Sequence, residues 1–164
     1  MIDFPSIWQL VTSQAHARPN SVHGPDHWQR VRRNGLLLVT RTGADPIVVE
    51  LFALFHDSRR VNDGYDTGHG GRGAEYAAQL RGTVFTLSDE QFELLRYACE
   101  WHTDGDFHED PTIATCWDAD RLDLGRVGIV PSAEYMSTAF GKEIANYGTI
   151  MPFLNHITDR HQHP

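Results

Sequence analysis

Residues 51–57 read Leu-Phe-Ala-Leu-Phe-His-Asp, an apolar run that ends in two potential metal ligands. Upstream, Asp45 and Pro46 are typical of a helix N-cap and a first helical turn, and residues 47–49 between them and the run are also apolar. A helix that is apolar on every side is predicted to be central and buried. An ionised carboxylate at its end is costly to desolvate, so Asp57 needs a cation or hydrogen bonds beside it. The alternative is a capping His56 next to a solvated Asp57.

The rest of the chain has helical periodicity, and no convincing alternating strand stands out. Helices are predicted over residues 4–18, from Pro25 toward Gly43, over 73–80, from Ser88 with Gln91 as a capping box, and from Asp110-Pro111. A polar, glycine-rich stretch at 58–71 is predicted to be a loop. After Pro131 one or two further helices are expected, with interruptions at Gly141, Gly148 and Pro152. We therefore predict an all-α, compact single-domain helical bundle over residues 1–164.

Composition narrows the class of protein. The 164 residues are 40% hydrophobic and 22% charged, which favours one soluble globular domain over a disordered or fibrous chain. With 14 basic and 22 acidic residues the net charge is −8, which disfavours a nucleic acid polymer or an anionic membrane as partner. Cys99 and Cys116 lack metal or redox spacing and are expected to be buried thiols. Without a signal-like or membrane-spanning segment, the protein is expected to be cytoplasmic.

Helical periodicity places three more potential metal ligands on faces that point toward the core. Asp120 falls on the apolar stripe of its helix, whereas Asp118 lies about 200° away and is expected to be exposed or to sit behind a ligand. His27 shares a face with Val31 and Leu38, and His102 follows Leu94 and Ala98 at steps of four. Imidazole and carboxylate are the ligands of many divalent ions, so these positions are candidates for one shared site.

In that order, His27, His56-Asp57 and Asp120 resemble the pattern of the HD-domain superfamily of metal-dependent phosphohydrolases. Residues 51–57 are similar to the central helix of that family, and residues 118–122, Asp-Ala-Asp-Arg-Leu, are similar to its last ligand motif. The likeness extends over about residues 23–128 and leaves C-terminal helices at 131–164 outside it. It implies an HD-type helical bundle that binds divalent metal through these four residues.

Two further segments resemble HD proteins whose extra histidines hold a second metal, including bacterial diadenosine tetraphosphate hydrolases. They are His69-Gly70, followed by Ala74, Tyr76 and Ala77, and residues 101–105, Trp-His-Thr-Asp-Gly. The resemblance thus adds His69 and His102 as metal ligands and implies one or two ions per chain, with Asp57 able to bridge two. Ligand type alone does not distinguish Mn, Fe, Mg, Co, Ni and Zn. Residues 58–63, Ser-Arg-Arg-Val-Asn-Asp, match no characterised branch.

A phosphate also needs hydrogen-bond donors, and the planar guanidinium of arginine grips phosphate oxygens in pairs. Arg59, Arg60 and Arg72 flank the candidate ligands and are predicted to bind substrate, the first two with a catalytic part; the alternative for each is an ordinary surface arginine. Asp57 and Asp123 complete the predicted catalytic set, with Asp123 orienting a ligand or moving a proton. For Trp28 and Trp101 we weigh stacking on substrate against core packing.

The remaining histidines are expected to play lesser parts. His23 is assigned to the pocket lining or the surface, and His108 to solvent. The others are taken as surface or tail positions: His16, His156, His161 and His163.

The resulting hypothesis is a metal-dependent phosphohydrolase that acts on a small phosphorylated metabolite or nucleotide, with water activated by the metal as nucleophile. Two alternatives use the same residues. One is a di-iron oxygenase of the HD type, which the set of six ligands permits. The other is a non-catalytic sensor of a nucleotide or metal. A homo-oligomer is compatible with all three.

Overall fold

The chain folds into an assembly of helices, seen in a computed structural model that describes residues 2–16 and 20–154. Within those ranges seven α-helices and two short 3₁₀ helices are described in full, and residues 151–154, which include Pro152, are also helical. The α-helices are α1 (Phe4–Ser13), α2 (Pro25–Thr42), α3 (Pro46–Phe55), α4 (His69–Leu80), α5 (Asp89–Trp101), α6 (Pro111–Arg121) and α7 (Ala139–Tyr147). The 3₁₀ helices are Leu124–Val127 and Ala133–Tyr135. No strand forms in the described part, where Arg81 and Phe85 make an isolated bridge. The all-α prediction is confirmed.

Helix α3 is the centre of the fold, as its apolar sequence predicts. The Asp45 carboxylate caps it by accepting hydrogen bonds from the backbone N–H groups of Ile47 and Val48. Its side chains from Leu51 to Phe55 are buried, and it contacts α1, α2, α4, α5 and α6. Burying a large apolar side chain stabilises the folded state by about 1.5–3 kcal/mol. Because every side of α3 is covered, its C-terminal end is enclosed as well, and His56 follows there.

The predicted starts of α2, α5 and α6 are confirmed by their caps. Pro25 opens α2, which ends at Gly43 with φ 74°. Ser88 and Gln91 form the reciprocal capping box of α5. Asp110 caps α6 through the N–H groups of Thr112 and Ile113. These local signals agree with the tertiary packing, so the helix starts were readable from the sequence.

Two helix boundaries differ from the predictions. Helix α1 ends at Ser13, well before residue 18, which lies outside the described residues. Helix α4 begins at His69, whereas the sequence analysis placed residues 58–71 in a loop. Glycine has low helix propensity, but close packing requires it here: a Cβ at Gly70 would lie 2.1 Å from the Cys99 carbonyl oxygen, and one at Gly73 2.3 Å from that of Phe55. His69 is therefore the first residue of a helix.

The C-terminal region corrects two further expectations. Gly141 lies inside α7 and does not interrupt it, whereas Gly148 ends it in the left-handed conformation. Asp118 is fully buried and not exposed, because α7 covers that face of α6. Its carboxylate accepts hydrogen bonds from the N–H of Ser137 and from the N–H and hydroxyl of Thr138, which caps α7. Burial raises the pKa of Asp118.

One continuous core joins residues of α1 through α7, from Ile7 to Ile144. The prediction of a single domain over 1–164 stays a prediction, and residues 155–164, with His156, His161 and His163, lie outside the described part. Both cysteines are buried and free, as expected, and burial raises the pKa of each thiol. Among the described residues, none of the helices combines the length and apolar character that crossing a membrane takes.

Candidate metal centre

The ends of five helices converge on one cluster of histidines and aspartates. His27 lies in the first turn of α2, His56 and Asp57 follow α3, and His69 begins α4. His102 caps the end of α5, and Asp120 lies in the last turn of α6. These are the six predicted metal ligands, and the fold brings all of them together although they are up to 93 positions apart in the sequence. We divide them into a first and a second cluster that share Asp57.

The first cluster consists of His27, His56, Asp57 and Asp120. The His27 Nε2 atom lies 3.1 Å from His56 Nε2, 3.2 Å from Asp120 Oδ1 and 3.6 Å from Asp57 Oδ2. His56 Nε2 lies 3.7 Å from Asp57 Oδ2 and 3.9 Å from Asp120 Oδ1. His27 Nε2 therefore lies within 3.6 Å of all three other ligand atoms, and both imidazole rings are fully buried.

The second cluster consists of Asp57, His69 and His102. His69 Nε2 lies 3.0 Å from His102 Nε2 and 3.2 Å from Asp57 Oδ1, and His102 Nε2 lies 3.6 Å from the same oxygen. Asp57 therefore presents Oδ2 to the first cluster and Oδ1 to the second. Each cluster contains three groups close enough to bind one metal ion.

The proton on each of the four imidazoles is placed by the partner of its Nδ1 atom. His56 Nδ1 faces the carbonyl oxygens of Phe52 and Ala53, and His102 Nδ1 faces that of Cys99 at 2.7 Å. His69 Nδ1 lies 2.6 Å from the Asp66 carbonyl oxygen. Because a carbonyl oxygen only accepts hydrogen bonds, Nδ1 carries the proton in these rings and Nε2 carries a lone pair.

His27 follows the same rule through a carboxylate. Its Nδ1 atom lies 2.7 Å from Asp123 Oδ2, and the other Asp123 oxygen accepts a hydrogen bond from Arg30 Nε at 2.7 Å. Burial favours a neutral Asp123, but His27 and Arg30 outweigh it and lower the pKa of this carboxyl below its usual range. A carboxylate that orients a metal-binding histidine in this way is a common feature of metal sites.

Charge in the two clusters favours a cation. Burial lowers the pKa of His56 to about 3, so this ring is neutral at neutral pH. Burial alone would raise the pKa of Asp57 and of Asp120, but the surrounding histidines outweigh it and hold both well below the usual range. Two ionised carboxylates therefore lie in a buried cage, where positive charge must compensate them.

The residues fit one or two divalent metal ions. His27 Nε2 lies 3.1 Å from His56 Nε2, and His69 Nε2 lies 3.0 Å from His102 Nε2, so each pair of nitrogens needs a proton or a metal ion between them. The buried Asp57 Oδ1 has no hydrogen-bond partner. Nitrogen and oxygen donors without thiolates suit Mn, Fe, Co, Ni, Zn and Mg, as expected from the sequence.

Comparison with known proteins identifies the fold. A crystal structure of a protein from an uncultured Thermotogales bacterium, described as a predicted HD superfamily hydrolase, superposes on this chain with a TM-score of 0.70. The match covers 96% of this chain and 90% of the other, at 24% sequence identity. The chain has the HD-superfamily fold. No protein-family model matches the sequence, and no curated protein matches it.

Beside the clusters of this HD fold lies a cavity of about 760 Å³ that reaches the surface. Its inner end is lined by Asp57, His69, His102 and Asp120. Its outer wall carries Phe107, Ile129 and Tyr135, each of them more than half exposed. The outer part of the cavity thus combines these apolar side chains with the exposed carboxylates of Asp106 and Glu134, and the candidate metal ligands lie at the inner end.

His23 lines the cavity, which is one of the two positions, pocket lining or surface, that the sequence analysis allowed for it. Its Nδ1 atom lies 2.9 Å from Asp57 Oδ2, and its side chain is 14% exposed. Trp28 holds it from behind, donating a hydrogen bond from Nε1 to the His23 carbonyl oxygen at 2.7 Å. Trp28 itself is fully buried, so it belongs to the core and not to the predicted substrate-binding set.

Of the three arginines predicted to bind substrate, one reaches the cluster. Arg60 is buried and lines the cavity, with Nη1 3.1 Å from His69 Nε2 and 3.7 Å from Asp57 Oδ1. Arg59 turns the other way, stacks on the Tyr76 ring and donates to the Gln14 carbonyl oxygen. Arg72 forms a two-point ion pair with Asp66 at 2.7 and 2.8 Å. Neither Arg59 nor Arg72 reaches the clusters, so the predicted substrate-binding role is not assigned to either.

Other aromatic positions also differ from expectation. Trp101 is 43% exposed, so it is neither in the core nor in the cavity lining. His108 is partly buried rather than solvated, because its ring packs edge-on against Tyr97 and Trp117. His16 lies near the surface beside Arg59, at 3.1 Å from Nη1.

Sequence analysis missed two arginines of the cavity. Arg121 donates to the carbonyl oxygens of Gly105, Asp106 and Tyr135 and so braces the outer wall. Arg126 lies in the 3₁₀ helix Leu124–Val127, with Nη2 3.5 Å from Asp120 Oδ1. Arg126 follows Asp120 by six residues, and no periodic pattern in the sequence marks it as a cavity residue.

Proposed function

We propose that the protein is a metal-dependent hydrolase of phosphate esters or anhydrides, acting on a small phosphorylated metabolite or nucleotide. One observation carries the proposal: six ligand residues form two adjoining clusters at the inner end of a cavity, and Asp57 contributes one oxygen to each. The description of the Thermotogales protein as a predicted HD superfamily hydrolase supports the same class of reaction. We take the substrate to be a small molecule, since the cavity of about 760 Å³ suits one.

Two divalent ions are the occupancy that we propose. His27, His56, Asp57 and Asp120 would hold one, and Asp57, His69 and His102 the other. Ions of this kind lower the pKa of a coordinated water and take up charge from phosphoryl oxygens. The three remaining tasks, which are orienting ligands, balancing charge and gripping phosphate, belong to residues of the chain.

Asp123 and His23 are the positioning residues in this proposal. Asp123 fixes the His27 ring with Nε2 toward the first cluster and is itself held by Arg30. His23 contacts the Asp57 oxygen of the first cluster from the cavity side. The sequence analysis gave Asp123 a catalytic part, and its contact with His27 supports the ligand-orienting half of that prediction.

Arg60 is the residue that we assign to phosphate binding at the second cluster. It is buried, it lies beside His69, and its Nη2 donates to the Gly64 carbonyl oxygen at 2.9 Å, which holds the guanidinium in place. Its Nε atom has no hydrogen-bond partner. A guanidinium fixed in this way is able to donate to a phosphoryl oxygen without losing much side-chain entropy.

The proposal is tested on protein purified without a metal-binding tag or a chelator. Elemental analysis should give close to two divalent ions per chain, and the Mn-supplemented protein should release phosphate from a member of a panel. The panel comprises mono-, di- and triphosphates and dinucleotide polyphosphates. Asp57→Ala should abolish that release while the helical circular dichroism spectrum is kept. A fully loaded protein that leaves the whole panel unchanged would contradict the proposal.

The same protein separates the two alternatives. The four histidines and two aspartates are also a suitable set for a di-iron oxygenase, which would show two irons per chain and oxygen uptake with substrate. A sensor would bind a nucleotide tightly and leave it intact. Either result would replace hydrolysis as the function of the metal centre.

A further inference from the structure

The unpaired polar atoms of the structure concentrate at the cavity. Among the described residues, four buried side-chain nitrogen or oxygen atoms have no hydrogen-bond partner. Three of them belong to residues that line the cavity: Asp57 Oδ1, Arg60 Nε and Arg126 Nε. The fourth is the hydroxyl of Thr12 in α1. Leaving a buried donor without an acceptor is unfavourable, so two such arginine donors on residues that line one cavity point to an acceptor that the protein itself does not supply.

Arg126 lines the cavity, and contacts with Asp123 and Asp120 hold its guanidinium in place. Its backbone N–H and its Nη1 atom both donate to the Asp123 carbonyl oxygen, each at 3.1 Å. Gly128, with φ 78°, ends the short helix just after it. The side chain is 9% exposed, and beyond Nη1 its nearest acceptor is Asp120 Oδ1, 3.5 Å from Nη2. Nε and Nη2 form the edge of the guanidinium that grips a pair of oxygens.

The other arginines around the cavity are already committed to protein atoms. Arg121 donates hydrogen bonds to the three carbonyl oxygens of the outer wall. Arg60 contacts the second cluster through His69, whereas Arg126 contacts the first cluster through Asp120. The guanidinium groups of Arg60 and Arg126, each with an Nε atom that has no acceptor, therefore lie beside different clusters, which share Asp57.

We propose that Arg126 is a substrate-binding residue that holds an oxygen of a phosphoryl group beside the first cluster. The inference rests on the proposed function and adds a residue that the motif pattern does not contain. Since Arg60 serves the second cluster, the bound phosphoryl group is gripped from both ends of the metal centre. The apolar outer wall then faces the rest of the substrate molecule.

Binding of inorganic phosphate to the Mn-loaded protein tests this role directly by titration calorimetry. Arg126→Gln should weaken phosphate binding by about tenfold or more, because a charge-assisted hydrogen bond is lost. Arg126→Lys keeps the charge without the planar fork and should fall between Arg126→Gln and the wild type. The matched control is Arg41→Gln, which removes an exposed arginine that pairs with Glu143 on α7. It should bind phosphate as the wild type does.

Manganese content distinguishes substrate binding from an indirect role through Asp120. Arg126→Gln should retain the manganese of the wild type, with only phosphate affinity reduced. Parallel loss of manganese would overturn the proposal, because Arg126 would then act by holding Asp120. Phosphate affinity within about twofold of the wild type would overturn it as well, since that is below the effect of one charged hydrogen bond. So would a loaded wild-type protein that binds no phosphate.

The two proposals fail separately. If no member of the substrate panel is hydrolysed while phosphate binding depends on Arg126, the phosphoryl-binding site is supported and the proposed hydrolase activity is contradicted. If a panel member is hydrolysed while Arg126→Gln leaves both phosphate affinity and KM unchanged, hydrolysis stands and the assignment of Arg126 falls.

Discussion

The first and second clusters share Asp57 but are built differently. In the first, four protein groups face one another, and the nearest arginine nitrogen is Arg126 Nη2, 3.5 Å from Asp120. In the second, three groups do so, and Arg60 Nη1 already lies 3.1 Å from His69 Nε2. More ligands and less competing positive charge predict tighter binding at the first cluster. The difference suggests one firmly held ion and one that exchanges more readily.

The strongest way to break the comparison is to remove the shared group. Asp57→Asn keeps the shape of the side chain but takes the anionic oxygen from both clusters. We expect metal content to fall to near zero and activity by at least about a hundredfold, since even residues that only orient ligands contribute 10–100-fold. Elemental analysis measures this, with the exposed Asp104→Asn as control. A variant that keeps one ion at full affinity would show that Asp57 does not bridge.

Single histidine variants separate the two clusters. His102→Ala should lose the second ion and retain about one ion per chain, whereas His56→Ala should lose the first. Metal titration of each apoprotein gives the stoichiometry, and thermal melting shows whether the fold is kept. Equal loss of both ions in the two variants would mean that the clusters bind as one unit.

A methyl group between α4 and α5 tests the second cluster without replacing a ligand, although its Cβ would also lie 3.1 Å from His102 Nδ1. Alanine at Gly70 would place Cβ 2.1 Å from the Cys99 carbonyl oxygen, which is the acceptor for His102 Nδ1. The helices must separate, so we expect weaker binding of the second ion and a loss of about 1–3 kcal/mol of stability. Calorimetric metal titration and thermal melting are the measurements.

Gly71 offers the matched control, because nothing lies within 4 Å of a Cβ placed there. Gly71→Ala should keep both ions and gain up to about 1 kcal/mol from helix propensity. If Gly70→Ala binds the second ion as the wild type does, the contact between α4 and α5 does not set the geometry of that cluster.

The smallest expected effect concerns the carboxylate behind His27. Asp123→Asn removes the charge that orients the ring, so affinity at the first cluster should fall about 10–100-fold while the second is unchanged. The comparison variant is Asp118→Asn, which alters a buried carboxylate bonded to the start of α7. It should lower the melting temperature and leave metal affinity intact. If Asp118→Asn instead weakened metal binding while Asp123→Asn lowered only the melting temperature, Asp118 and not Asp123 would be the carboxylate that supports the metal site.

Sequence patterns pointed to five of the six ligands because each of the five lies at a marked helix end or on an apolar stripe, whereas His69 was added by the family resemblance alone. The helical period selected Asp120 for the cluster, and the fold places it there. The same period left Asp118 either exposed or behind a ligand, since the sequence does not show that α7 covers that face. His69 was placed in a loop for a similar reason, because only the contact between α4 and α5 explains the glycines beside it.

The arginines were beyond the reach of sequence patterns. Arg59 and Arg60 are neighbours in a turn, and the turn alone decides that one stacks on Tyr76 while the other contacts His69. Arg126 reaches the cavity from a 3₁₀ helix, which has no apolar stripe to indicate a buried side. Long side chains on irregular backbone are positioned by tertiary contacts that no local periodicity records.

Each metal-facing imidazole has its outward nitrogen tied to an oxygen of the protein, which is a backbone carbonyl in three cases and Asp123 in the fourth. A cage anchored from behind does not depend on its ion for its shape. Removing the metal with a chelator should therefore leave the chain folded. Different divalent ions should then be able to replace one another in the same site. Which ion occupies such a site would then depend on the concentrations of the available divalent ions as much as on the protein.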